Sequence, residues 1–277
     1  MLAAALALGA SLCWGIGDFV GGLKSRVLPV IVVMAVSQPF GLAAVAVAVA
    51  ARGTGPPGPE VAWAMLAAVL GTLGLAAFYR GMAGGAMSVV APIAAVAAGI
   101  PVVWGLAQGD KVTGLQELGF VAAVGGSLLT SLEREADRRR FSAGAGWGVL
   151  AMLGFGGYFV PLHAAARHDW LWPSFVFRGT STALVWATLL VMRQRPMGVR
   201  GHLAPLAAAG VLDTAGNTFF AAASSSHGLL SVVSVLASLY PAVTVLLARV
   251  ALGERVQLSQ DAGVILTLTG VVLISAG

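Results

Sequence analysis

The sequence predicts an all-α integral membrane protein: ten transmembrane helices arranged as two inverted five-helix repeats. Three observations carry this. Of the 277 residues, 58% are hydrophobic and only 10% are charged, and the mean hydropathy is +0.90, whereas a soluble domain carries roughly 25% charged residues. Apolar runs of about 20 residues, the length that crosses a bilayer, recur along the whole chain. The closing segment of the first half returns near the C-terminus.

Cutting the chain at its charged and Pro/Gly-rich joints gives spans at 2–22, 29–51, 61–80, 86–108, 113–131, 143–166, 171–192, 202–223, 228–250 and 256–276. The first begins MLAAALALGASLCWG, which lacks the basic flank of a cleaved signal peptide and reads as a membrane helix. RGTGPPGPE (52–60) separates the second from the third, and EREADRRRFSAG (133–144) the fifth from the sixth. RQRPMGVRG (193–201) precedes the eighth. The expected organisation is a first repeat over 1–131, a charged loop over 132–142 and a second repeat over 143–277.

GDKVTGLQELGFVAAVGGSLLTS (109–131) lies over GERVQLSQDAGVILTLTGVVLIS (253–275) at a constant offset of 144, with 7 of 23 positions identical. The polar match Gln116/Gln260 and the acid–base pairs Asp110-Lys111 and Glu254-Arg255 set this apart from similarity between greasy segments. WGIGDFV (14–20) matches GFGGYFV (154–160) more weakly. Five crossings is an odd number, so the second repeat enters from the opposite face. That construction belongs to secondary transporters, whose substrate sits near the midplane between the halves.

The net charge of +5 would suggest nucleic acid in a soluble protein. Here the basic residues cluster between apolar runs, as in loops beside anionic lipid, and nucleic acid is excluded as a partner. Cys13 is the only cysteine, so no internal disulfide and no cysteine metal cage can form. No P-loop, H-E-x-x-H, G-x-S-x-G or histidine pair at ligand spacing occurs. Neither an ATP-driven pump nor an enzyme nor a bound cofactor or metal is therefore expected.

YRGMAGGAMSVVAPIAAVAAGIPVVWGLAQGDK (79–111), SSHGLLSVVSVLASLYPAVTVLLARVALGERVQLSQDAG (225–263) and WGIGDFVGGLKSR (14–26) resemble the EamA family of the drug/metabolite transporter superfamily. In that family each half closes with a proline-containing helix, a Gly-Glu-Arg-like turn and a Gln-x-x-Gly helix. The first half departs from the pattern with Asp110 in place of Glu, and Pro101 lies one turn nearer that turn than Pro241 does. The resemblance implies a membrane transporter and leaves its substrate open, since relatives carry amino acids, sugars, nucleotide-type metabolites and drugs.

Asp213 is the sharpest candidate. It lies about 16 Å along the eighth span, near mid-bilayer, where a charge costs roughly 2.5–3.5 kcal/mol. It must face the bundle interior, a partner or water. Asn217 follows one turn later on the same face, with Thr214 beside Asp213. Arg178, inside the seventh span, is the expected partner. Asp18 is a second candidate; six residues from Lys24, it is expected close to the headgroups. By resemblance to the small multidrug exporters of the same superfamily, an acid in the first helix couples protons. Trp14, one turn before Asp18, and Tyr240 are expected to wall the cavity. Pro92, Pro101 and Pro241 are expected to kink the fourth and ninth spans. Gly84, Gly85, Gly119, Gly126, Gly263 and Gly270 serve close helix packing, and His163 and His227 belong near the interfaces.

Twelve Lys and Arg residues fall in loops after odd spans and three (Arg52, Lys111 and Arg167) in loops after even spans. The positive-inside rule then predicts both termini outside the cytoplasm, whereas the family resemblance implies both inside. The function expected is transport of a small metabolite or drug by alternating access, as an exporter driven by a proton or substrate gradient. The alternatives are an intramembrane enzyme acting on a lipid-soluble substrate and a passive channel. A composition rich in Ala, Gly and Arg with only two lysines points to a bacterial inner membrane, and a monomer or weak dimer is expected.

Overall fold

A computed structural model describes residues 1–55, 58–83, 90, 93–94, 96–131, 138–252 and 258–276. They form helices α1 (Leu2–Ser25), α2 (Val30–Arg52), α3 (Trp63–Ala83), α4 (Gly99–Ala107), α5 (Gly114–Ser131), α6 (Arg138–Ala165), α7 (Leu171–Val191), α8 (Leu203–Ser225), α9 (Leu230–Ala237), α10 (Tyr240–Leu252) and α11 (Leu258–Ala276), with no strand among the described residues. Five segments (Leu2–Ser25, Val30–Arg52, Pro59–Ala83, Gly146–Ala165 and Leu171–Val191) are long and apolar enough to cross a membrane, and further apolar helices are shorter. The protein is a multi-pass membrane protein.

Where the sequence places uninterrupted spans at 86–108 and 228–250, the described backbone is broken. A 3-10 turn at Val96–Ala98 leads into α4, and Ser238 and Leu239 separate α9 from α10. Pro101 is the third residue of α4 and Pro241 the second of α10. The first turn is where a missing N–H costs no helical bond. Pro101 and Pro241, expected to kink these spans, thus stand in the first turn after each interruption. Pro92, Gly84 and Gly85 lie outside the described residues.

Small residues set the packing. The most extensive pairings are α5 with α11, α3 with α6, and α1 with α8, and α2 lies against both α7 and α8. With lipid as apolar as the side chains, helices associate by close backbone approach. Gly119, Gly126 and Gly270 supply it between α5 and α11, where the space a Cβ would fill is occupied by the facing helix. Gly74 and Gly154 do the same between α3 and α6. At the α2–α8 crossing a Cβ on Gly210 would overlap the carbonyl of Ser37, and one on Gly41 the Thr214 hydroxyl. Gly210→Ala is thus expected to force the backbones apart and cost about 1–3 kcal/mol. A lowered melting temperature in detergent, beside an unaffected Gly201→Ala control in open space, checks it.

Candidate functional site

The polar residues of the apolar helices first satisfy themselves. In α8, the Thr214 hydroxyl donates to the Gly210 carbonyl at 2.8 Å, Thr218 to Thr214 at 2.8 Å, and the Asn217 amide to the Asp213 carbonyl at 3.0 Å. Each bond runs back four residues, the local route by which a polar side chain survives in a helix without water. Asn217 therefore supports the Asp213 backbone and not its carboxylate.

The Asp213 carboxylate instead takes the guanidinium of Arg178, with Nη2 2.5 Å from Oδ2. The Arg178 side chain is 1% exposed and that of Asp213 20%, so the base is fully enclosed and the acid retains a route to the cavity. Arg178 also stands beside the Phe177 ring, 5.8 Å from its centroid. The ion pair expected between the seventh and eighth spans is present.

Asp18 is not a solvated surface carboxylate. It is buried, at 6% exposure, on the wall of the same cavity. Six residues of separation from Lys24 span more than one helical turn, which carries Asp18 inward while Lys24 remains at the helix end. The Tyr79 hydroxyl stands 3.5 Å from Asp18 Oδ1, a long contact, and Asp18 has no cationic partner among the described residues.

These groups meet in one cavity, lined by Trp14, Asp18, Gln38, Arg178, Ser181, Asp213, Asn217 and Tyr240 and also by Gly71, Thr72, Phe155, Tyr158 and Phe177, among others. All six candidate binding residues lie on its wall. Trp14 is the hub of its aromatic side, with ring centroids 6.0 Å from Tyr158 and Phe159, 6.3 Å from Phe220 and 6.4 Å from Tyr240. Gly216 makes room for the indole, since a Cβ there would fall 2.5 Å from Trp14 Nε1. Four buried polar atoms on this wall (Gln38 Oε1, Thr72 Oγ1, Arg178 Nε and Tyr240 Oη) have no hydrogen-bond partner among the described residues. Buried polar groups are ordinarily paired, and these four belong to residues that line one cavity.

Sequence reasoning missed Gln38, Tyr79, Tyr158 and Ser181. Gln38 carried a usable signal, an amide beside Pro39 in an otherwise apolar run; the two tyrosines carried none apart from their neighbours in space. His163 is half-buried near the end of α6 with Nδ1 3.0 Å from Ser224 Oγ. Groups of three or more metal-ligating side chains are absent among the described residues.

The model of the EamA-like transporter family matches residues 142–276. This half of the chain belongs to the EamA-like transporter family. EamA proteins are membrane transporters of small molecules, and the family resemblance read from the sequence holds for the half that contains Arg178, Asp213 and Tyr240. A solved structure, described only as "Crystal structure of protein", has the same fold, at a TM-score of 0.77 and 17% identity over 99% of this chain and 96% of that one. No curated protein matches the chain.

Proposed function

We propose that the protein is a secondary transporter that exports a small metabolite or drug across a bacterial inner membrane by alternating access. The observation that carries this reading is the central cavity, about midway along α3, α6, α7 and α8, with two acids, one base and four unpartnered polar atoms on an aromatic wall. The helix pairing supports ten spans in two inverted halves, 1–131 and 143–277. Counting α9 and α10 as one span, exchanging each span for the one five places away turns α1–α8 into α6–α3, and α2–α8 into α7–α3. Each is an observed pairing.

Arg178 and Asp213 neutralise one another, which leaves Asp18 as the excess negative charge on the cavity. An uncompensated carboxylate in apolar surroundings favours taking up a proton or a cationic group. In this reading Asp18 is the exchangeable charge that couples transport. Arg178 and Asp213, with Asn217 beneath, form the polar anchor, and Trp14 and Tyr240 hold the apolar part of the substrate.

The test begins with a thermal-shift screen of purified protein against amino acids, sugars, nucleosides and cationic drugs. A true ligand at 100 times its dissociation constant adds about 2.7 kcal/mol of stability. The stabilising class is then supplied to proteoliposomes under a pH gradient. Saturable uptake against a concentration gradient is expected. Flux that rises linearly with concentration marks a channel, and chemical turnover of the compound marks an enzyme; either result overturns the proposal.

A further inference from the structure

At one end of the bundle two loops are tied together. Asp169, between α6 and α7, accepts hydrogen bonds at Oδ1 from the N–H groups of Leu171 (2.7 Å) and Trp172 (2.9 Å), which caps α7. Its other oxygen takes the guanidinium of Arg52 from the end of α2. Arg52 Nε donates to Thr54 Oγ1 at 2.9 Å, its guanidinium stands 6.0 Å from the Trp170 ring centroid, and Trp172 Nε1 donates to the Thr54 carbonyl at 2.8 Å. A second tie joins Asp110, after α4, to the start of α9: Asp110 Oδ2 accepts from the N–H of Ser231 at 3.0 Å and from its hydroxyl at 2.8 Å. Both ties lie at the same end, because residues beside them (Trp63, Gln108, Arg167 and Leu230) line one peripheral cavity there. Each joins a residue of 1–131 to one of 143–277.

The two ion pairs of the described structure differ in kind. Arg178 is sealed in, whereas the Arg52 and Asp169 side chains are 26% and 13% exposed. Water can replace each partner, so the Arg52–Asp169 pair opens at modest cost. Opening leaves the rest intact: Asp169 keeps its bonds to the α7 N-terminus, and Arg52 keeps Thr54. A contact that separates without unravelling either helix suits repeated making and breaking.

We infer that Arg52 and Asp169, aided by the Trp172–Thr54 and Asp110–Ser231 bonds, form a latch. It holds this end of the bundle closed and releases when the central cavity turns toward that side. This rests on the alternating-access reading.

The experiment uses full-length Cys13→Ala protein with Ser181→Cys as a reporter on the cavity wall, in proteoliposomes of known orientation. Labelling by a membrane-impermeant maleimide is timed from each side. Arg52→Gln and Asp169→Asn each remove the ion pair, and the side-chain amide of the second variant retains an acceptor for the α7 cap. Each is expected to speed labelling from the latched side about threefold to fivefold, the scale of a part-exposed ion pair. Unchanged labelling from that side in both variants, with melting temperatures near the parent's, overturns the latch alone. Passage of the impermeant maleimide itself through the parent protein into the liposome marks an open channel and overturns alternating access itself.

Discussion

Asp18→Asn is expected to leave the protein folded and inserted while abolishing accumulation of substrate under a pH gradient. The amide keeps the shape of the carboxylate and its contact with Tyr79 but can neither take up a proton nor hold a cation. Exchange of labelled for unlabelled substrate at equal pH needs no net coupling and is expected to persist at a sizeable fraction of the wild-type rate if the substrate does not itself bind Asp18. Loss of both accumulation and exchange, with substrate-induced stabilisation also gone, places the substrate's charge on Asp18. Wild-type accumulation in the folded variant would sink the assignment. Asp213→Asn is also expected to lose transport, but with a lower melting temperature, since it leaves the buried Arg178 without its anion. The two acids are thus separable by stability alone.

The second large effect concerns Arg178. Removing one partner of a buried ion pair costs about 3–5 kcal/mol because the other is left charged in a poor solvent. Arg178→Leu strands Asp213, and the expected result is a melting temperature lower by about 10 °C. Replacing both residues with leucine removes the stranded charge and is expected to recover most of that loss, without recovering transport. A single variant as stable as wild type would mean that Asp213 readily accepts a proton when alone, and that the pair contributes little to the fold. Thermal melting of the two variants beside the wild type in one detergent decides between these outcomes.

Much of the architecture was legible because lipid imposes a simple code: about 20 apolar residues, then a polar joint. The expected span 29–51 is Val30–Arg52, and 202–223 is Leu203–Ser225. The turn at Val96–Ala98 and the gap at Ser238–Leu239 escaped, since hydropathy registers side chains and not backbone hydrogen bonds. Asp213 and Arg178 could be found because a charge in mid-span is expensive and needs a partner. Asp18 was misplaced because nearness to a lysine in sequence was read as nearness to water. The aromatic wall is contributed by α1, α6, α7, α8 and α10, and no local pattern announces that rings from five separate helices will meet. The turn that holds Glu254 and Arg255, part of the family signature, lies outside the described residues.

The pairing of α1 with α8 bears on how the protein is made. Trp14 nests against Gly216, so the first helix must await a partner about 200 residues behind it, roughly 10–40 s of synthesis. For that interval the early helices stand in the bilayer with their glycine-lined faces open to lipid and Asp18 unsheltered by α8. A chain cut short after the fifth helix would keep those faces exposed for good.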